Sequence, residues 1–361
     1  MRSRYWITSL VVVGAAVGAS LVAVDTTHPE PAPATSANLI SNCAEVAPDN
    51  ELACYTEQLT EVFNTKGLSA ASAMLDEAAL DRTPQAGRFA ARCHETAHNL
   101  GKLVVIEPGV NYAALGPSAC QSGFFHGIHS RIFAAYTTTA NLLSAAATVC
   151  ANSNEVLAIG SGGLGNGCLH AYGHELVRRS ADEGNAVQSC ETKHVGVSDT
   201  TNAVLDCLHG LYMEKFLAFE ATETWTSPAA ACARALTLGT TAGKVCFSES
   251  GVSAYRYSLT KNPAAAFQMC TTETTSSDLA VECAGGLGRA ASSFLENEPE
   301  AIKEFCAAGI ELYEPCLIEA LTSAIQVTLQ YSMLEYCAGM EQESYCRERL
   351  DGARAYVEEN R

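Results

Sequence analysis

Apolar and polar positions divide the chain into three kinds of stretch. The first is continuous: Trp6 to Val24 is nineteen residues without a charge. As a helix such a run spans about 28 Å, close to the hydrocarbon thickness of a bilayer. Arg2 and Arg4 precede it and Asp25 follows, which puts the N-terminus in the cytoplasm by the positive-inside bias. The expectation is a retained signal anchor over 1–24. A cleaved signal peptide is the alternative, although its apolar stretch is ordinarily shorter and no clean Ala-x-Ala-like site follows. The second stretch, 25–41 (DTTHPEPAPATSANLIS), is rich in Pro, Ala and Thr and reads as an extended tether.

The third kind fills the rest of the chain with short helix-forming runs separated by polar or glycine-containing loops. Residues 229–236 (AAACARAL), 264–270 (AAAFQMC) and 301–306 (AIKEFC) all end near a cysteine. Each follows a start signal with an early proline: Ser227-Pro228, Asn262-Pro263 and Glu298-Pro299. Each is followed by a loop and a second helix that opens at the next cysteine, as in Cys207-Leu208-His209-Gly210-Leu211-Tyr212.

The cysteines turn this alternation into a repeat. From the third pair onward the separations within pairs are 18, 17, 14, 13, 10 and 9 residues. The gaps between successive pairs stay between 21 and 25. Constant long gaps and shrinking short ones are what a repeat gives when a single loop varies, and this period points to stacked helix pairs. A helix A, a loop and a helix B would place one cysteine at each lip of the loop, within bridging reach. The simplest pairing joins neighbours: Cys43–Cys54, Cys93–Cys120, Cys150–Cys168, Cys190–Cys207, Cys232–Cys246, Cys270–Cys283, Cys306–Cys316 and Cys337–Cys346.

Composition narrows the setting. Sixteen cysteines imply an oxidising compartment outside the cytoplasm, in keeping with the N-terminal run. A net charge of −18 opposes nucleic acid or an anionic membrane surface as the main partner. With 48% apolar and 17% charged residues the chain can bury a sizeable core.

The nine histidines carry the chemistry, and none follows His209. His28 lies in the tether. Aligned on the opening cysteine of each helix B, the residues two positions later are Ser122, His170 and His209, then Ser248 and Gly285. Six positions later stand His126, His174 and Met213, then Val252 and Arg289. These offsets are i and i+4 on one helical face, so equivalent imidazoles on neighbouring helices can converge. A further pair, His94 and His98, sits on a helix expected to be the A helix of the first histidine-bearing repeat.

That pair belongs to His94-Glu95-Thr96-Ala97-His98-Asn99-Leu100-Gly101, a His-Glu-x-x-His segment in which two imidazoles share a face and the glutamate serves as base. Over these eight residues it resembles the start of the metzincin zinc signature. The third metzincin histidine would fall at Val104, and no strand-rich context precedes the helix, so neither fold nor reaction is carried over. The glycine-rich segment 160–167 lacks the Lys-Ser/Thr of a phosphate loop. It reads instead as backbone passing close to the histidine-bearing helices.

The expected architecture is all-α: disulfide-stapled antiparallel helix pairs forming an α-solenoid or curved array behind one transmembrane helix. Residues 42–85 would cap it, 86–225 would bear the histidines, and 226–361 would extend and close it. The expected function is a metalloenzyme with His94, His98, His126, His170, His174 and His209 as metal ligands and Glu95 and Glu175 as candidate bases. The metal would be zinc, copper or iron, supporting hydrolysis or oxidation. The alternatives are a metal-free scaffold binding a protein on its concave face, or a metal storage or delivery protein.

Overall fold

Proline and serine fix several helix starts. Ser227 stands before the helix that begins at Pro228, and its side chain accepts a hydrogen bond from the Ala230 backbone. Helices likewise begin at Pro48, Pro84, Pro263 and Pro299; proline has no N–H to lose in a first turn. The computed structural model describes residues 42, 43, 46 and 48–359, except 81–83, 106–111, 118–120, 157–164, 181, 192–199, 223–226, 259–262, 273–275, 296–298 and 329–330. The signal anchor, the tether with His28, His194 and the Cys93–Cys120 pairing lie outside the described residues.

All regular structure among the described residues is helical. In chain order the helices are α1 (Pro48–Lys66), α2 (Leu68–Leu80), α3 (Pro84–Leu103), a short α4 (Tyr112–Leu115), α5 (Gln121–Ala134), α6 (Thr139–Val156), α7 (Gly165–Arg179) and α8 (Glu183–Glu191). Then follow α9 (Thr200–Thr222), α10 (Pro228–Leu238), α11 (Thr240–Ser258), α12 (Pro263–Thr272), α13 (Ser277–Phe294), α14 (Pro299–Ala307), α15 (Tyr313–Thr328) and α16 (Glu343–Glu359). Among the described residues no helix is long and apolar enough to cross a membrane.

Seven of the expected disulfides are present: 43–54, 150–168, 190–207, 232–246, 270–283, 306–316 and 337–346. Cys93 is also disulfide-bonded. Several staples do not sit at the loop lips on their B helices. Helices α9, α11 and α13 begin at Thr200, Thr240 and Ser277, about two turns before Cys207, Cys246 and Cys283. The bonds therefore cross between helix bodies, at Cα separations of 5.5 to 5.7 Å. The loop beyond each staple is free to shorten while the helix contact stays constant, which explains the shrinking cysteine spacing.

Helices α5, α7, α9, α11, α13 and α15 pack side by side in chain order, and α6, α8, α10, α12 and α14 lie against them. Helix α3 joins the first row: it packs on α5, and α13 touches α3 as well as α11 and α15. The sequence reading had α3 as a helix A, outside that row. Glycine places it there. A Cβ on Gly123 would stand 2.3 Å from the His94 carbonyl oxygen, and one on Gly127 would stand 2.0 Å from that of His98. Backbone therefore meets backbone across the α3–α5 seam, and the two helices run in the same direction. The same contact recurs at 1.9 Å between Gly210 and the His170 carbonyl and between Gly286 and the Ser248 carbonyl. One apolar core runs unbroken from Phe133 on α5 to Ala353 on α16, so histidine-bearing and histidine-free repeats share it. A second, under α1 to α3, is built on Tyr55, Leu59, Leu75, Phe89 and Phe124.

These seams make a sharp prediction. Gly286→Ala must push α11 and α13 apart and should destabilise by about 1–3 kcal/mol or more, as overpacking does. Gly352→Ala meets open space on α16 and should be neutral or stabilise by about 0.5–1 kcal/mol. Denaturant unfolding of the two variants checks this; equal effects would mean that the seams do not depend on glycine.

Candidate metal centre

The glycine contacts fix a common register. In four of them the carbonyl lies on the preceding helix of the row: His94 faces Gly123, His98 faces Gly127, His170 faces Gly210 and Ser248 faces Gly286. Gly210 and Gly286 stand three residues after their opening cysteines, as Gly123 does, and His170 and Ser248 stand two after theirs. His94 therefore occupies the two-position of its helix and His98 the six-position, although Cys93 lies one residue before His94. Counting from the cysteines hid this equivalence. In the shared register α3 and α7 each carry two histidines, α5 carries His126 and α9 carries His209.

Five imidazoles make a continuous chain of ring contacts. Centroids are 5.2 Å apart for His94 and His126, 4.5 Å for His126 and His170, 4.9 Å for His170 and His174, and 5.8 Å for His98 and His174. The His126 and His170 rings are stacked within 9° of parallel. Gly167, last of the glycine-rich segment, makes room for them: a Cβ there would stand 3.1 Å from the His126 ring. His209 completes the group near His170, close enough to disfavour its protonation. His129 is fully buried on the same helix as His126 but stacks on Phe133 instead.

Burial disfavours the charged form of three of these rings. It is the leading cause lowering the pKa of His98, His126 and His170 well below the ordinary value, and mutual repulsion among the imidazoles adds to it. For His98 the nearby Lys102 is the second cause. Nδ1 of His126 and Nε2 of His170 are buried without a hydrogen-bond partner. A neutral ring with an unengaged nitrogen offers a lone pair.

Two imidazoles are held by carboxylates from the next helix in the row. His174 Nδ1 donates to Glu214 at 3.0 Å, and His209 Nδ1 donates to Glu249 at 2.7 Å; each partner lies 40 residues on. Burial works to raise the Glu214 carboxyl, but hydrogen bonds from His174 and Arg178 outweigh it and hold the pKa at about 2. An ionised acceptor fixes the proton on Nδ1 of His174 and leaves Nε2 for other use. The sequence alone does not single out Glu249, Arg178 or Arg289 for these roles. The one signal for the two acceptors is their place, one register position beyond the histidine they hold.

The two candidate bases are otherwise engaged. Glu175 is buried, with one oxygen bonded to Arg178 at 2.6 Å and the other to Arg179. Glu95 pairs with Arg92 at 3.3 Å. The repeats after Cys232, read from sequence as extension and cap, also reach the site: Arg289 donates to Ser248 and to Glu249. Among the described residues no three His, Cys, Asp or Glu side chains already stand in an arrangement that would hold a metal ion. The rings would have to turn to coordinate one. No family model, curated protein or solved structure matches the chain.

His129 provides a test of this buried chemistry. Burial lowers its pKa to about 4, partly offset by a backbone hydrogen bond at Phe125, whereas in the unfolded chain it titrates near 6.5. Between those values the folded state binds fewer protons. Stability present above about pH 6.5 is therefore lost as pH falls toward 4, by roughly 3 kcal/mol from this residue. Thermal unfolding from pH 7 to 4 should show a shallower loss in His129→Leu than in the wild type. Equal slopes would assign the acid sensitivity elsewhere.

Proposed function

We propose that the chain is an exported helical-repeat metalloprotein, tethered to the membrane by its N-terminal apolar segment, with its helix pairs curved around a transition-metal centre. The observation that carries this reading is the gathering of six imidazoles from four neighbouring helices in one register. Leaving buried ring nitrogens without partners costs about 1–3 kcal/mol each. A packing role gives no return for repeating that cost on successive helices, whereas coordination answers it.

The donor set favours copper, with iron next. Disulfides take the cysteines out of use as thiolates, and six imidazoles exceed the four ligands of a structural zinc. Met213 stands on α9 where α7 has His174, and a thioether beside imidazoles suits copper. Bound there, such a metal would supply one-electron and oxygen chemistry. This chain's residues would ligate it and fix ring orientation through Glu214 and Glu249. The engagement of Glu175 and Glu95 with arginines weighs against a carboxylate base, and so against zinc-assisted hydrolysis. The second reading is a metal-free protein-binding scaffold; among the described residues no three donors already stand in a coordinating arrangement.

Metal analysis of the protein, purified without a polyhistidine tag and exposed in turn to Cu(II), Zn(II) and Fe(II), decides among these. The expected result is at least one copper per chain, lost in His174→Ala and retained in His28→Ala and Glu95→Gln. Stoichiometric zinc without copper would move the assignment to hydrolysis. Failure to retain any of the three would leave the scaffold.

A further inference from the structure

Two polar residues of the histidine-free half of the chain reach the imidazole group. Glu249, on α11, is 4% exposed, and its Oε1 accepts both from His209 Nδ1 at 2.7 Å and from Arg289 at 3.1 Å. The same Arg289 nitrogen donates to Ser248 Oγ at 2.9 Å, which pins the guanidinium. Arg289 comes from α13, which touches the helix bearing His94 and His98.

We propose that Arg289, acting through Glu249, is a positioning residue for His209 in the metal centre. The inference rests on the metalloprotein reading. A carboxylate this deeply buried is strongly disfavoured unless a cation answers its charge. Arg289 supplies that charge and holds the carboxylate in place. Glu249 accepts from His209 Nδ1, which fixes the orientation of the ring and of its Nε2.

The same construction occurs one helix earlier. His174 donates to Glu214, and Arg178 grips that carboxylate through Nε at 2.8 Å and through a terminal nitrogen at 2.9 Å. There the arginine lies on the histidine's own helix. For His209 the equivalent cation arrives from two helices further on, so the part of the array without histidines completes the site.

A double-mutant cycle on the full-length protein tests this, read as the Kd for Cu(II) in competition with a chelator and with thermal unfolding followed in parallel. Arg289→Gln should weaken Cu(II) binding by about 10- to 100-fold, as loss of an outer-shell partner does. Arg289→Lys should restore part of it. The Arg289→Gln/His209→Ala double variant should bind no more weakly than His209→Ala alone, a non-additivity that a merely structural arginine would not produce. Should Arg289→Gln fail to fold, Glu249→Gln takes its place in the same cycle. An unchanged Kd in the folded variant, or losses that add in full, would overturn the proposal. A wild-type protein that takes up no Cu(II) would overturn the metal reading itself, which is a different result.

Discussion

Backbone contact between neighbouring helices sets everything else in this protein. Where Gly123, Gly127, Gly210 and Gly286 meet carbonyl oxygens of the preceding helix, a side chain would hold the helices apart and leave their sliding register loose. With glycine there, successive helices lock one residue out of step and run in the same direction. Histidines four apart on such helices must then face the same space. The contact between the His94 and His126 rings lies across such a seam and follows from its register more than from any attraction among imidazoles. Neutral rings have little mutual attraction, and protonated ones repel.

The row is not uniform. Among the described residues, glycine-to-carbonyl contacts join α3 to α5, α7 to α9, α11 to α13 and α13 to α15, but not α5 to α7 or α9 to α11. At the first of these two seams the His126 and His170 rings stack; at the second His209 meets Glu249. Imidazole and carboxylate side chains thus occupy the spaces that backbone fills elsewhere. A metal held by these rings would tie together helices that are otherwise joined less closely, so occupancy and rigidity of the row are linked.

Much of this was legible in the sequence, for identifiable reasons. Early prolines and cysteine spacing mark helix pairs because both report local geometry. Seven expected disulfides follow because a repeat makes neighbours the nearest partners. Offsets of two and six from the opening cysteine picked out His126, His170, His174 and His209. What escaped was the place of α3, since Cys93 is one residue out of phase with the other opening cysteines and only the contacts of Gly123 and Gly127 reveal the true register. Arg178 and Arg289 escaped as well. A charge on an inward position looks like a solvated face until its buried acceptor is known, and Glu214 and Glu249 lie on other helices.

The connection between compartment and chemistry runs through the cysteines. In an oxidising setting they staple helices and leave no thiolates, so a metal site must be made from other donors. Imidazole is the suitable one only while neutral, and burial supplies that condition for His98, His126 and His170 at neutral pH. Burial in turn requires a complete wall around the group. Helices α11 and α13 bring no histidine, yet they cover His209 with Glu249 and Arg289 and return the row to α3. The absence of histidine after residue 209 fits this division: four helices carry the imidazole group, the helices that follow add enclosure and countercharge, and further imidazoles there would add only unpartnered polar atoms.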